Sequence, residues 1–244
     1  MTVGPVFLVA LATAFATGLG VLPVLVVRAN KGRSVALSSA LAAGFMLGAS
    51  AGLFYEGVNL NFVRTALGAI AGVAFIFATG SYLESRPEAQ IGTLRGARGL
   101  TALMVIGVMT IHSFTEGVAV GVSFAGKESL GILISLAIAV HNIPEGVAIS
   151  LALMPFGVSA PRAAAWSVFS SLPQPLMAVP AFLAVRTFEP LLAAGLGFAG
   201  GAMVWMVFSQ LLPESLAGEA RPLAIGAVIS STALMIAFEL AIGL

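Results

Sequence analysis

Eight apolar segments recur along the chain, at residues 3–27, 34–58, 61–83, 100–125, 130–154, 163–187, 191–212 and 222–243. Each is close to the roughly 20 residues that an α-helix needs to cross a bilayer core. Short polar stretches separate them: RANKGR at 28–33, ESRPEAQIGTLRGARG at 84–99, which is the longest, and GKES at 126–129. No segment alternates with the period of two that a membrane barrel strand requires. Backbone groups in hydrocarbon must be satisfied within the segment itself. The pattern therefore predicts an all-α polytopic membrane protein, a single transmembrane domain over 1–244 with eight helices.

Composition agrees. Hydrophobic residues make up 59% of the chain and charged residues 9%, with a mean hydropathy of +1.07; a soluble domain has about 45–50% and about 25%. The expected surroundings are thus a lipid bilayer. The net charge of +1 gives no reason to expect a nucleic-acid partner, and the absence of cysteine excludes disulfides and thiolate metal sites. The 28 glycines suit close helix packing in lipid and permit a homodimer. The N-terminus lacks a basic lead and its apolar run is long enough to span, so no cleavable signal peptide is expected. Arg28, Lys31, Arg33, Arg86, Arg95, Arg98, Arg162 and Arg221 follow the odd-numbered segments, whereas Arg64, Lys127 and Arg186 follow even ones, 8 against 3. The positive-inside rule then sets both termini outside the cytoplasm, in the inner (plasma) membrane of the cell.

Two of the oily segments carry charge in nearly the same words. IHSFTEGVAVGV at 111–122 and VHNIPEGVAISL at 140–151 each hold a histidine and a glutamate four residues apart. A shift of 29 positions lays His112 on His141, Glu116 on Glu145 and Gly117 on Gly146. A weaker echo joins AAGFMLGAS at 42–50 to FAGGAMVWM at 198–206, as internally repeated transporter folds show; the expected repeat relates helices 1–3 to helices 6–8, around helices 4 and 5. On a helix the i, i+4 spacing puts both side chains on one face, a turn apart. Two such helices face to face present two imidazoles and two carboxylates, a set that suits a first-row divalent cation such as Zn²⁺. An isolated ionised carboxylate at mid-membrane costs roughly 2.5–3.5 kcal/mol on insertion scales, and a cation offsets that cost. The structural alternative is that each histidine hydrogen-bonds its own glutamate and merely joins two helices.

Neighbouring residues add detail. Gly117 and Gly146 follow the glutamates and allow close helix approach. Pro144 lacks an N–H and frees the Val140 carbonyl, which predicts either a helix broken beside a cavity or a simple packing kink. In the sixth segment Gln174 lies between Pro173 and Pro175, which predict a strong kink; its amide oxygen is a candidate metal donor. Ser113 and Asn142 sit beside the histidines and are candidates for lining the pathway. Met46 offers a soft thioether, although a buried methionine is more often packing. Glu56 and Glu214 lie at helix ends, as pathway carboxylates or as solvated ends, and Glu239 is expected at the interface.

With two HxxxEG helices in a row, eight spans and both termini outside, the chain resembles the ZIP (Zrt/Irt-like) family of divalent-metal transporters. HNIPEG is a near-signature of its bacterial and GufA-like branches, and AGGAMVWMVFSQLLPES at 199–215 is similar to the family's seventh helix. The resemblance spans essentially the whole chain. It implies that His112, Glu116, His141 and Glu145 bind metal, and it raises Met46 to a contributor. Many relatives have a glutamate where this chain has Gln174, an asparagine where it has Ser113, and an aspartate where it has Asn142. The resemblance therefore implies one principal metal site. It also implies uptake into the cytoplasm by alternating access, with zinc first among the metals and the ion as substrate rather than cofactor. In that reading helices 4 and 5 slide against a scaffold that includes helices 2 and 7.

Two rival functions use the same residues. A cation or proton channel would use them as a relay. An intramembrane metalloenzyme needs HExxH and an open coordination position, and neither motif here has that form. The expectation is that the chain is not an enzyme.

Overall fold

The computed structural model describes residues 2–26, 31–84, 96–217 and 220–242, and these are all-helical, without strands. The chain forms α1 (Val3–Leu19), α2 (Val21–Val26), α3 (Lys31–Glu84), α4 (Gly96–Gly126), α5 (Glu128–Leu153), α6 (Ala160–Ser171), α7 (Pro173–Thr187), α8 (Leu191–Met206), α9 (Leu212–Leu216) and α10 (Arg221–Ile242). Among the described residues, six helical runs are long and apolar enough to cross a membrane: Val3–Leu25, Ala36–Tyr82, Glu128–Leu153, Ala160–Thr187, Leu191–Leu216 and Arg221–Ala241. Residues 28–30 and 85–95 of the polar stretches, with Arg28, Arg86 and Arg95, lie outside the described residues.

The departures from eight uniform segments have local causes. The first segment is divided at Gly20, whose N–H turns back onto the Thr17 and Gly18 carbonyls. The second and third segments form one 54-residue helix interrupted at Asn61 (φ −166°, ψ 107°). Asn61 caps the helical stretch after the break: its Oδ1 accepts the Arg64 N–H at 2.9 Å, satisfying a donor at the new helix start. The sixth segment breaks at Leu172, immediately before Pro173. The expected kink is therefore present, because neither Pro173 nor Pro175 can donate to the preceding turn. The seventh segment runs on to Leu216 and contains a π turn, Val207–Leu211, between α8 and α9. Helix α5, in contrast, is unbroken across Pro144. Pro144 nevertheless lines a cavity of about 380 Å³ with Pro23, Leu37, Leu41 and Val147.

Two sets of helices pack closely. Helix α1 lies against α5 and α7, and α4 lies against α5 and α7. Helix α3 lies along α8 and α10. The α3–α8 seam is reciprocal: Gly68 and Gly72 sit on Ala194 and Phe198, while Gly197 and Gly201 sit on Thr65 and Ala69. Such backbone-to-backbone contact supplies van der Waals packing where lipid removes any hydrophobic drive. Between the sets lies a core of large apolar side chains that includes Met46, Leu53, Ile138, Leu196, Met203 and Met206.

Candidate metal centre

Helix α4 carries His112 and Glu116, and α5 carries His141 and Glu145. All four are buried, with at most 1% of their surface exposed. Each offers one ligand atom, and those four atoms lie within 4.8 Å of one another. The imidazole rings meet edge to face, with centroids 6.1 Å apart.

The pairing crosses between helices. His112 Nε2 lies 2.6 Å from Glu145 Oε1 on the facing helix and 3.1 Å from Glu116 Oε1 on its own. His141 Nε2 contacts Glu116 Oε1 across the gap and lies 4.0 Å from its own Glu145. The i, i+4 spacing thus aims the groups correctly, while the offset of the two helices makes each histidine meet the other helix's glutamate. Neither His112 Nε2 nor Glu145 Oε1 has a partner with hydrogen-bond geometry, despite their proximity.

Glycines set how near the neighbours come. A Cβ on Gly117 would strike the backbone of Gln174 in α7, and one on Gly146 would strike the Thr17 carbonyl in α1. The duplicated HxxxEG therefore repeats a seat as well as a ligand pair: each glutamate is followed by a position where a flanking helix rests on bare backbone.

Gln174 completes the wall. Its side-chain nitrogen donates to Glu116 Oε2. Its oxygen accepts from Thr13 Oγ1 at 2.8 Å and from Asn142 Nδ2 at 3.3 Å. The amide oxygen, expected as a metal donor, is thus turned to two donors, because an ionised carboxylate at the other end requires the NH₂ to face it. Asn142 also donates to the Thr13 carbonyl at 2.8 Å, so it ties α5 to α1. Thr17 Oγ1 and Ser171 Oγ share a hydrogen bond of 2.8 Å. Ser113 is fully buried, its hydroxyl without a partner among the described residues.

Met46 is fully buried in the apolar core. The sulfur that meets a site histidine belongs to Met206, whose Sδ lies 2.9 Å from His112 Nδ1. Glu56 is half-buried on α3. Glu214 is exposed on α9 and accepts from Ser39 Oγ at 2.8 Å. Glu239, near the end of α10, is 5% exposed and pressed against Gly52 of α3. Neither Glu56, Glu214 nor Glu239 joins the four-residue group. Sequence reasoning passed over Thr13 and Met206. A signal for the first existed: Thr13 and Thr17 are the only hydroxyls in α1 and share the four-residue spacing of HxxxE. For Met206 none did.

Comparison with known proteins agrees with this chemistry. A family model described as ZIP zinc transporter matches residues 81–241. A putative zinc transporter of Arabidopsis thaliana is 45% identical over 227 residues, covering 91% of this chain but 36% of that protein, so the chain spans about a third of its length. The zinc transporter GufA of Myxococcus xanthus is 34% identical over 218 residues, covering 83% of this chain and 85% of GufA. The zinc transporter ZIPB of Bordetella bronchiseptica is 30% identical over 247 residues, covering 93% and 78%. The chain belongs to the ZIP zinc transporter family, and it is a multi-pass membrane protein.

Proposed function

We propose that this chain carries a divalent metal ion, zinc first, across the membrane into the cytoplasm by alternating access, with His112, Glu116, His141 and Glu145 as the ligands. The observation that carries this reading is the convergence of their four ligand atoms within 4.8 Å, with His112 Nε2 and Glu145 Oε1 at 2.6 Å and not hydrogen-bonded. Zinc–ligand bonds of about 2.0–2.2 Å separate tetrahedral donors by roughly 3.3–3.6 Å. The 2.6, 3.1 and 4.0 Å separations bracket that value, so small rotations suffice. Charge supports one ion at a time: two carboxylates and two neutral imidazoles balance one divalent cation, and Gln174 adds no charge. The ion is the substrate, not a resident cofactor.

The alternating step has a structural basis in the packing. The hydrogen bonds Thr13–Gln174 and Thr17–Ser171, with the seats at Gly117 and Gly146, join α1, α4, α5, α6 and α7 into one body. The body moves against α3, α8 and α10, carrying the ion with it. Ser113 and Asn142 line its path, and Glu56 and Glu214 stand at the ends. Gln174 and Met46 support the ligand set from the wall and the core. We read eight crossings: the 47 residues of Ala36–Tyr82 suffice for two, divided at Asn61, and the 31 residues of α4 suffice for one. Helices 1–3 and 6–8 form the repeat, both termini lie outside the cytoplasm, the membrane is the inner (plasma) membrane, and the glycine-rich surfaces suit a homodimer. Its family makes the chain a transporter rather than an enzyme.

Uptake of radioactive zinc into proteoliposomes, with competing metals and a pH series, tests this. Saturable uptake that competing divalent metals suppress is expected. Metal binding to histidine and carboxylate displaces protons, so acid weakens binding and uptake falls as pH is lowered. Ohmic single-channel current without saturation would replace the carrier with a channel.

A further inference from the structure

His112 makes a side-chain contact to the opposing set of helices, and it does so through sulfur. Met206 Sδ, at the last residue of α8, stands 2.9 Å from Nδ1 of the ring, and both residues are buried to within 1%. A thioether has lone pairs and no proton, so it can only accept. When a metal ion occupies Nε2, the ring's remaining proton must reside on Nδ1, where the sulfur accepts it. Nε2 is the nitrogen that faces Glu145 Oε1 at 2.6 Å and Glu116 Oε1 at 3.1 Å without hydrogen-bond geometry. The bond on one ring nitrogen decides what the other can do. A second feature marks the same spot. The π turn Val207–Leu211 begins at the residue after Met206, and single π turns concentrate at functional positions in helices.

We infer that Met206 is a positioning residue for His112: its sulfur accepts the Nδ1 proton, fixing the tautomer and ring orientation that present Nε2 to the ion. This rests on His112 being a metal ligand. It adds that one ligand is prepared from α8, outside the body that carries all four. The contact is therefore available only while that body stands where this structure has it, and it separates when the body moves.

The two histidines make the test direct, since ¹⁵N-histidine labelling yields only two rings, assigned with His141→Ala. Spectra of the full-length protein with zinc bound, in mildly alkaline detergent solution, should show His112 protonated at Nδ1 with Nε2 on the metal. Met206→Leu keeps the volume and removes the acceptor. It should shift the His112 Nδ1 resonance of the zinc-bound protein and bind zinc about 10-fold more weakly, the lower end for loss of an outer partner of a ligand histidine. Met206→Gln, whose amide oxygen accepts, should restore both. A Leu variant with the wild-type zinc-bound Nδ1 resonance and affinity, or a zinc-bound wild-type ring protonated at Nε2, overturns the inference. If His112→Ala binds and carries zinc normally, the metal-site reading itself fails, and that outcome is separate.

Discussion

The two sets of helices use the same packing device and opposite chemistry. In α3, α8 and α10, glycines let backbones touch, but the hydroxyls of Ser50, Thr65, Thr79 and Ser231 bond back to carbonyls of their own helices. In α1, α4, α5, α6 and α7 hydroxyls such as Thr110 and Ser135 do the same, but other polar side chains bond between helices: Thr13 to Gln174, Asn142 to the Thr13 carbonyl, Gln174 to Glu116, Thr17 to Ser171. Directional cross-links fix relative position, and shape contact alone does not. The set that must hold charge at a defined geometry is cross-linked, while the set it packs against is held chiefly by shape. Two buried carboxyl environments make the contrast concrete. Glu116 has two histidines and an amide around it, whereas Glu239 presses on bare Gly52, its Oε1 without a hydrogen bond.

The comparison breaks most easily at the ligands. Glu145→Ala leaves His112 with one carboxylate and the site one charge short of a divalent ion. Zinc uptake by proteoliposomes should fall by more than about 100-fold, beyond the range that outer partners of a metal site command. Glu239→Ala should leave uptake near wild type. Equal losses from both would mean that the cross-linked set has no special role.

Next comes the amide. Gln174→Leu preserves bulk but leaves Glu116 Oε2 without its donor and frees Thr13 and Asn142 from a shared acceptor. A hydrogen bond to a charged group contributes about 1.5–3 kcal/mol, so zinc affinity should fall roughly 10- to 100-fold. Equilibrium binding on purified protein measures it. Uptake and binding that are both unchanged would show that Glu116 needs no support from α7.

How far these features can be read from residues alone differs from one to the next. HxxxE twice, in oily segments, announced the four side chains that converge, because helical periodicity decides which side chains share a face. The kink at Pro173 and Pro175 and the start at Asn61 were equally visible, since proline and a capping side chain act locally. The crossed pairing of His112 with Glu145 was not visible: it depends on how far α4 and α5 are offset along their axes, and no local rule sets that. The Met206 contact joins positions 94 residues apart through a helix whose register a π turn alters. Gln174 was found by type and place, yet its orientation was not, because the carboxylate that turns the amide comes from another helix.

The glycine seats sharpen the comparison. Gly146→Ala drives a methyl into the Thr17 carbonyl, and Gly201→Ala drives one into Ala69. Overpacking of this kind costs about 1–3 kcal/mol, so both variants should melt earlier by similar amounts. Only Gly146→Ala should also weaken zinc binding, because it displaces the turn that carries Glu145. A loss of binding in Gly201→Ala as large as in Gly146→Ala would mean that the two sets move together as one rigid block.

The smallest effect belongs to a side-chain bond that joins α3 to α9. Ser39 Oγ donates to Glu214 Oε2 at 2.8 Å, with the serine buried and the glutamate exposed. Water can replace the hydroxyl at the exposed carboxylate, so little is left unsatisfied when it goes. Ser39→Ala should lower stability by about 0.5–1.5 kcal/mol at most, the net worth of an ordinary hydrogen bond. Zinc affinity should not change, since neither residue touches the four ligands. If affinity does fall, Glu214 reaches the ion's path from α9, and the boundary drawn between the two sets lies in the wrong place.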